Sequence, residues 1–336
     1  CRLVFEAALE NEEAKQEIFR TLNGICAKEC YYLSNTSSLP IGGLEETCGM
    51  KGRLMGFHFY NPPPVQKLVE VITTEHTLKD LVHLSEELGK RLRKILIPSR
   101  DIAGFIGNGH FMRDLLYACE QAKKLAKQHG VAEGIMMMQR VTQDFLLRPM
   151  GIFQLADYVG LDVCRNILAI MDTHSEESLR SPLIERMLQQ GIRGGQLPDG
   201  SQKDGFLRYE GKRITGVYDP DRGGYVEWES MEAKVNERLG PLPASHQSWK
   251  ELLASKERAT LLQSYFAQLW EMDSLGADLA RQYLQKSRSI ALQLREEGVA
   301  HAIDDVNAVM EYGFYHLYGP VSDLIPQTQL SKTESI

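Results

Sequence analysis

The amino-acid sequence predicts an α/β region followed by an all-α region, and three observations carry that expectation. Residues 1–100 alternate short apolar runs with helix-period segments, which argues for a mostly parallel sheet. After Pro98 the strand signals stop and helical periodicity takes over. Two segments, Gly130–Gly151 and Gly298–Gly319, echo each other, which suggests two related helical units.

The strands are read from composition and punctuation. "RLVFEA" (2–7), "YYLSNTS" (31–37), "RLMGFHFY" (53–60), "KLVEVITT" (67–74) and "KILIP" (94–98) are short, β-branched or aromatic, and bounded by Gly, Pro, Asn or Ser. Between the first two, Ala14, Ile18, Phe19, Leu22 and Ile25 recur at helical spacing. Between the last two, Leu78, Leu81, Val82, Leu88 and Leu92 do the same. Further on, residues 109–128, 131–147, 160–172 and 182–190 are periodic. A Gly-rich connection (191–206) and a polar stretch to about 245 precede helical sequence from 248 to 313. In the echo, both segments begin GVA, place isoleucine sixth (Ile135, Ile303), end on glycine and are followed by an aspartate (Asp157, Asp323). The expected division is 1–100, 101–215, 216–330 and a polar tail at 331–336.

Composition narrows the classes of function. The 336 residues are 43% hydrophobic and 25% charged with a formal net charge of −7, which argues against bulk nucleic-acid binding. The six cysteines form no CxxC pair and have no nearby histidine cluster, so neither a metal site nor a disulfide framework is expected. Reduced thiols suit a cytoplasmic chain. No apolar run approaches the ~18 residues of a membrane span, and no signal-peptide pattern is visible. Because strand-like sequence begins directly after Cys1, the chain is expected to be a fragment of a longer protein.

The candidate chemistry lies in "GFHFYNPPPVQKLVEV" (56–71). Strand alternation puts His58 and Tyr60 on one face, and Leu68, Glu70 and Ile72 on one face of the next strand. Three prolines stiffen the link between them. A buried glutamate needs a partner, and a histidine paired with it becomes a base. Spacing alone leaves open the alternative of an unrelated core histidine and edge glutamate. "SNTSSL" (34–39) reads either as a turn or helix cap or as a polar rim at the carboxyl end of a parallel strand. "GFIGNGHFM" (104–112) is not a dinucleotide loop, because Met112 stands where a third glycine is required. Met136–Met138 read as helix core and "KRLRK" (90–94) as a solvated helix end; neither these nor His110 is given a role.

Taken together, "FEAALENEEAKQEIF", "SNTSSL", "GFHFYNPPPVQKLVEVI", "GFIGN" and "RPMGIFQLADYVGLDV" occur in order and resemble the 3-hydroxyacyl-CoA dehydrogenases of fatty-acid β-oxidation. The likeness is dense over residues 2–165 and weaker through "DGSQKDGFLRY" (199–209) and the second helical unit. It implies a Rossmann-type NAD-binding domain, a helical domain that pairs into a homodimer, and an active site in the cleft between the two domains. It also implies an acyl-CoA substrate. His58 would be the general base and Glu70 its orienting carboxylate. Ser37 and Asn108 match positions that hold the substrate oxygen, Asn61 one near the nicotinamide, and Glu10 and Lys15 positions facing the cofactor. Two departures concern substrate contacts and local rigidity: Gly109 replaces the family's usual arginine, and Ile152 the expected proline.

The resemblance leaves two rival readings: a β-hydroxyacid dehydrogenase acting on a non-CoA acid, and a non-catalytic helical module or pseudoenzyme. No G-x-G-x-x-G occurs in the sequence, so residues 1–100 read as the second half of an NAD-binding domain. This chain alone is accordingly expected to bind NAD poorly. Fluorescence titration with NADH measures this, and tight binding would contradict it.

Overall fold

The computed structural model describes residues 1–326, and the expected tail at 331–336 lies outside the described residues. The chain opens with β1 (Leu3–Glu6), α1 (Glu12–Ile25), β2 (Tyr31–Ser34), α2 (Ile41–Cys48), β3 (Leu54–Phe59), β4 (Leu68–Thr73), α3 (Lys79–Leu92) and β5 (Ile95–Arg100). These strands form one sheet in sequence order. The pairs β1–β2, β2–β3 and β4–β5 are parallel, and β3–β4 is antiparallel. The antiparallel step follows from the short proline link, because eight residues are too few for a crossover helix.

Side-chain alternation sorts the sheet's residues into two cores. Tyr32, Leu54 and Ile72 pack with Phe19 of α1 and with Ile41 and Leu44 of α2. Leu33, Met55, Phe57, Val69 and Val71 pack with Leu81 of α3. His58 and Glu70 have the parity of Leu54 and Ile72, so they belong to the face of α1 and α2.

The rest of the chain is mainly helical: α4 (Gly107–His129), α5 (Val131–Arg140), α6 (Ile152–Val159), α7 (Leu161–Thr173) and α8 (Pro182–Gln189). After them come β6 (Leu207–Glu210), β7 (Arg213–Asp219) and β8 (Gly224–Glu227). The last elements are α9 (Trp228–Leu239), α10 (Trp249–Ala254), α11 (Arg258–Glu271), α12 (Leu275–Glu296) and α13 (Ile303–Gly313). Among the described residues no helix is long and apolar enough to cross a membrane.

The structure amends the sequence reading at several points. The helical part also carries β6, β7 and β8 as an antiparallel meander within the polar stretch. β6 and β8 are four residues each, and β6 carries a register shift at Arg208/Tyr209, which blurs the alternation a strand would show. The expected helix over 131–147 ends in a π-helical segment at Val141–Phe145, and α6 follows unanticipated. α2 was also unforeseen, since its two glycines weaken helix propensity. It is held from 60 positions away by Asp101, whose carboxylate accepts from the Ile41 and Gly42 amides.

The chain divides into two compact units that are discontinuous in sequence. The first comprises Cys1–Arg113, Asn166–Arg180 and Ala291–Tyr315. The second comprises Asp114–Arg165, Ser181–Ile290 and the described residues from His316 onward. Within the first unit, the late segment attaches to the sheet: Arg100 N donates to Val299 O at 2.9 Å, Ser99 bridges Ala300, and α13 packs on β4 and β5. The first echoed segment lies in the second unit, whereas the second is divided, with residues 298–315 in the first unit and 316–319 in the second. Helix begins directly after Gly130 in one, but only at Ile303, after extended backbone, in the other.

Within the first unit, a charged cluster builds the rim at the carboxyl ends of β1 and β2. The Lys15 ammonium, fully buried, donates to Glu6 Oε1 at 2.8 Å and Oε2 at 3.0 Å and lies 3.6 Å from Glu10 Oε2. Ser34 Oγ donates to Glu6 Oε2 at 2.6 Å. Glu10 Oε1 gathers the loop after β2, accepting from Thr36 Oγ1 at 2.7 Å, Ser37 N at 2.8 Å and Ser38 N at 3.0 Å. Burial alone would raise the Glu10 carboxyl, but the Thr36 hydroxyl, the Lys15 charge and the Ser37 amide outweigh it and hold it below its ordinary value. With the folded value depressed, the stabilisation is present above the ordinary value of 4.5 and is lost as pH falls through the folded value. Glu10→Gln is therefore expected to cost about 1–2 kcal/mol at neutral pH, read from the urea midpoint. The gap from the unsubstituted chain should close in acid; a gap independent of pH would contradict this account.

Candidate active site

His58 and Glu70 stand directly opposite each other in the β3–β4 ladder, so their side chains leave the sheet on the same face. His58 Nδ1 lies 3.2 Å from Glu70 Oε2. Glu70 is wholly buried and His58 is 8% exposed. β4 is an interior strand between β3 and β5, so Glu70 is not an edge residue. A carboxylate facing Nδ1 favours the tautomer with its proton there. Nε2 then carries the lone pair, and it has no hydrogen-bond partner among the described residues.

Further donors complete the carboxylate. Tyr60 Oη donates to Glu70 Oε2 at 2.6 Å. The Ile106 and Gly107 amides donate to Oε1 at 2.9 and 3.3 Å. Burial first, and then the charge and hydrogen bond of Glu70, push the Tyr60 phenol well above its ordinary 10.0, so it stays a neutral donor. The amides are aimed by a turn in which Gly104 (φ 85°) and Phe105 (φ 50°) are both left-handed. Phe105 is fully buried, with its ring 6.3 Å from that of His58, and packing sustains a conformation that costs a non-glycine residue about 1–3 kcal/mol. Gly107 is required at the start of α4, because a Cβ there would come within 1.8 Å of Tyr60 Oη.

The other residues singled out in the sequence divide into those drawn together and those set apart. Asn108 Nδ2 donates to Ser37 O at 2.8 Å, so the loop after β2 and the start of α4 are joined. The Ser37 hydroxyl donates to Glu10 at 3.2 Å. Asn61 is exposed just beyond β3. Lys15 is fully buried against Glu6 and Glu10, and both carboxylates link it to the loop after β2, Glu6 through Ser34 and Glu10 directly. The sequence reading overlooked Asn35, whose Oδ1 accepts from Phe59 N at 2.9 Å and joins the ends of β2 and β3. It also gave Tyr60 no role, although the residue shares a strand face with His58. The Ile106 and Gly107 amides left no signal, because backbone groups carry no residue identity.

A cavity of about 630 Å³ in the first unit is lined by Lys51, His76 and Arg100 together with Glu45, Glu75 and Asp101. Its charges are mixed, and Asp101 is already engaged by α2. Among the described residues no group of three or more His, Cys, Asp or Glu is arranged to hold a metal.

Comparison with known proteins identifies the family. Residues 1–102 match the 3-hydroxyacyl-CoA dehydrogenase NAD-binding domain, and residues 104–204 match the C-terminal domain of the same family. A probable 3-hydroxybutyryl-CoA dehydrogenase of Deinococcus radiodurans is 33% identical over 205 residues, spanning 60% of this chain and 72% of the relative. A probable 3-hydroxybutyryl-CoA dehydrogenase of Bacillus subtilis is 36% identical over 217 residues, spanning 62% of this chain and 70% of the relative. The crystal structure of the Escherichia coli 3-hydroxybutyryl-CoA dehydrogenase shares the fold, with TM-score 0.65 and 21% identity over 96% of this chain and 73% of that one. The NAD-binding-domain match covers the whole five-stranded sheet, with the opposed histidine and glutamate inside it, and the chain belongs to the 3-hydroxyacyl-CoA dehydrogenase family.

Proposed function

We propose that the chain oxidises an (S)-3-hydroxyacyl-CoA to the 3-ketoacyl-CoA, with His58 as general base. One observation carries the reading: Nδ1 of a buried histidine is committed to a buried carboxylate while Nε2 has no partner among the described residues. The substrate 3-hydroxyl would give its proton to Nε2, and Glu70 would stabilise the imidazolium that forms. NAD, when bound, supplies the hydride acceptor. In the reverse direction the protonated ring would polarise the keto oxygen.

The residues present suit the nicotinamide end of that cofactor. Ligands of open α/β sheets sit outside the carboxyl ends of parallel strands. Here those ends carry Glu6, Ser34, Asn35 and the Glu10-bound loop, with exposed Asn61 beyond β3. Asn61 and Ser37 are assigned to the cofactor side, and Glu10 and Lys15 act by shaping the loop. Asn108 has one amide hydrogen on Ser37 and a second for the substrate oxygen. Ser37 Oγ would assist from the facing loop.

The test is NADH oxidation driven by 3-ketobutyryl-CoA, with free 3-keto acids as the comparison. His58→Gln is expected to lose about 10²–10⁴-fold in kcat, the range of general acid–base catalysis. Glu70→Gln should lose about tenfold or more, because the ring loses its orienting acceptor. Near-normal turnover in His58→Gln would overturn the proposal. A preference for the free acid would favour a β-hydroxyacid dehydrogenase acting on a non-CoA substrate.

A further inference from the structure

We infer that Tyr60 is a positioning residue that sets the basicity of His58 by competing with it for Glu70 Oε2; the inference rests on the catalytic reading of the His58–Glu70 pair. Both groups address the same oxygen. Tyr60 Oη is 2.6 Å from it, while His58 Nδ1 is 3.2 Å away. The shorter contact belongs to the neutral donor, and charge drawn toward the phenol is unavailable to stabilise an imidazolium.

The slot around Tyr60 is built to present this hydroxyl. Gly107 leaves room for Oη, and Gly313 leaves room for the ring, since a Cβ there would come within 2.8 Å of Tyr60 Cε1. Phe314 meets the ring edge-on with centroids 5.7 Å apart. The His58 and Tyr60 rings lie 4.9 Å apart. Phenylalanine would fill the same space, so the hydroxyl is the part of the side chain that packing does not explain.

The elements packed against the pair contribute the following groups. From β3 and its exit come His58 and Tyr60, and from β5 the residue paired with Glu70 is apolar Ile97. From the turn into α4 come the Ile106 and Gly107 amides, with His110 the first ionisable group on that helix. On α13 the ionisable residues next to Gly313 in sequence are Glu311 and Tyr312. Asp101, between β5 and α4, is engaged by the α2 amides. No lysine or arginine among the described residues forms an ion pair with Glu70.

The experiment is an NMR pH titration of ring-labelled histidine in the full chain, with His58→Gln assigning the His58 resonance. In Tyr60→Phe the carboxylate keeps its full charge for the ring. The midpoint of the His58 resonance is expected to move to higher pH by about half a unit or more. Biosynthetic replacement of tyrosine by 3-fluorotyrosine, whose phenol is a stronger donor, should move it to lower pH, and this arm applies even if the phenylalanine variant fails to fold. An unmoved midpoint, or movement opposite to that stated in either arm, would overturn the inference. A merely structural Tyr60 would change the unfolding midpoint without moving the titration. Activity of His58→Gln judges the catalytic reading separately, so failure of one is distinguishable from failure of the other.

Discussion

A carboxylate with no surface exposed to water must find its hydrogen bonds inside the fold, and Glu70 finds them on three segments. Its partners are the facing strand through His58, the residue that leaves that strand, and the turn that starts α4. Leaving such a group short of donors would cost several kcal/mol, so the bonds that satisfy it also constrain the segments that supply them. The β3–β4 register, the left-handed turn at Gly104–Phe105 and the absence of a side chain at Gly107 serve this one acceptor. Aiming a histidine is a consequence of the same geometry, because one bond of the set is to an imidazole.

A second buried cluster does comparable work at the rim. Lys15 sits between Glu6 and Glu10 with no exposure, an arrangement tolerable only because each charge is matched at close range. Two carboxylates connect Lys15 to the loop after β2: Glu10 takes hydrogen bonds from Thr36, Ser37 and Ser38, and Glu6 takes one from Ser34, whose hydroxyl accepts from Thr36 N. Asn108 then ties the same loop to the start of α4, so the polar rim and the His58–Glu70 pair are linked through a few short bonds.

The second unit shows how secondary structure can be hidden in polar sequence. Buried Asp157 accepts from the Phe206 and Leu207 amides and from the Tyr209 hydroxyl, drawing the Gly-rich connection and the start of β6 onto α6. The meander that follows relies on that anchorage and on packing by α5 and α9 rather than on a strong strand pattern. The repeated GVA segments illustrate the converse. Similar letters begin a helix at once after Gly130 and an extended run after Gly298, because in the latter Ala300 is bridged to Ser99.

Much of the first unit was legible from local pattern. All five strands and both longer helices of residues 1–100 were read from alternation and 3.6-residue spacing, because each element states its buried face in its own sequence. The same parity put His58, Tyr60 and Glu70 on definable faces, and a buried acid and base within 12 residues made a pairing chemically reasonable. Tertiary structure alone decided that the two stand directly opposite, that Tyr60 shares the oxygen, and that amides 36 and 37 residues further along complete the carboxylate. It alone joined Asp101 to α2 and Val299 to Arg100. The physical reason is common to these cases: amphipathic period reports which side of an element is buried, whereas strand register and backbone donors at long separation depend on how the whole chain closes around them.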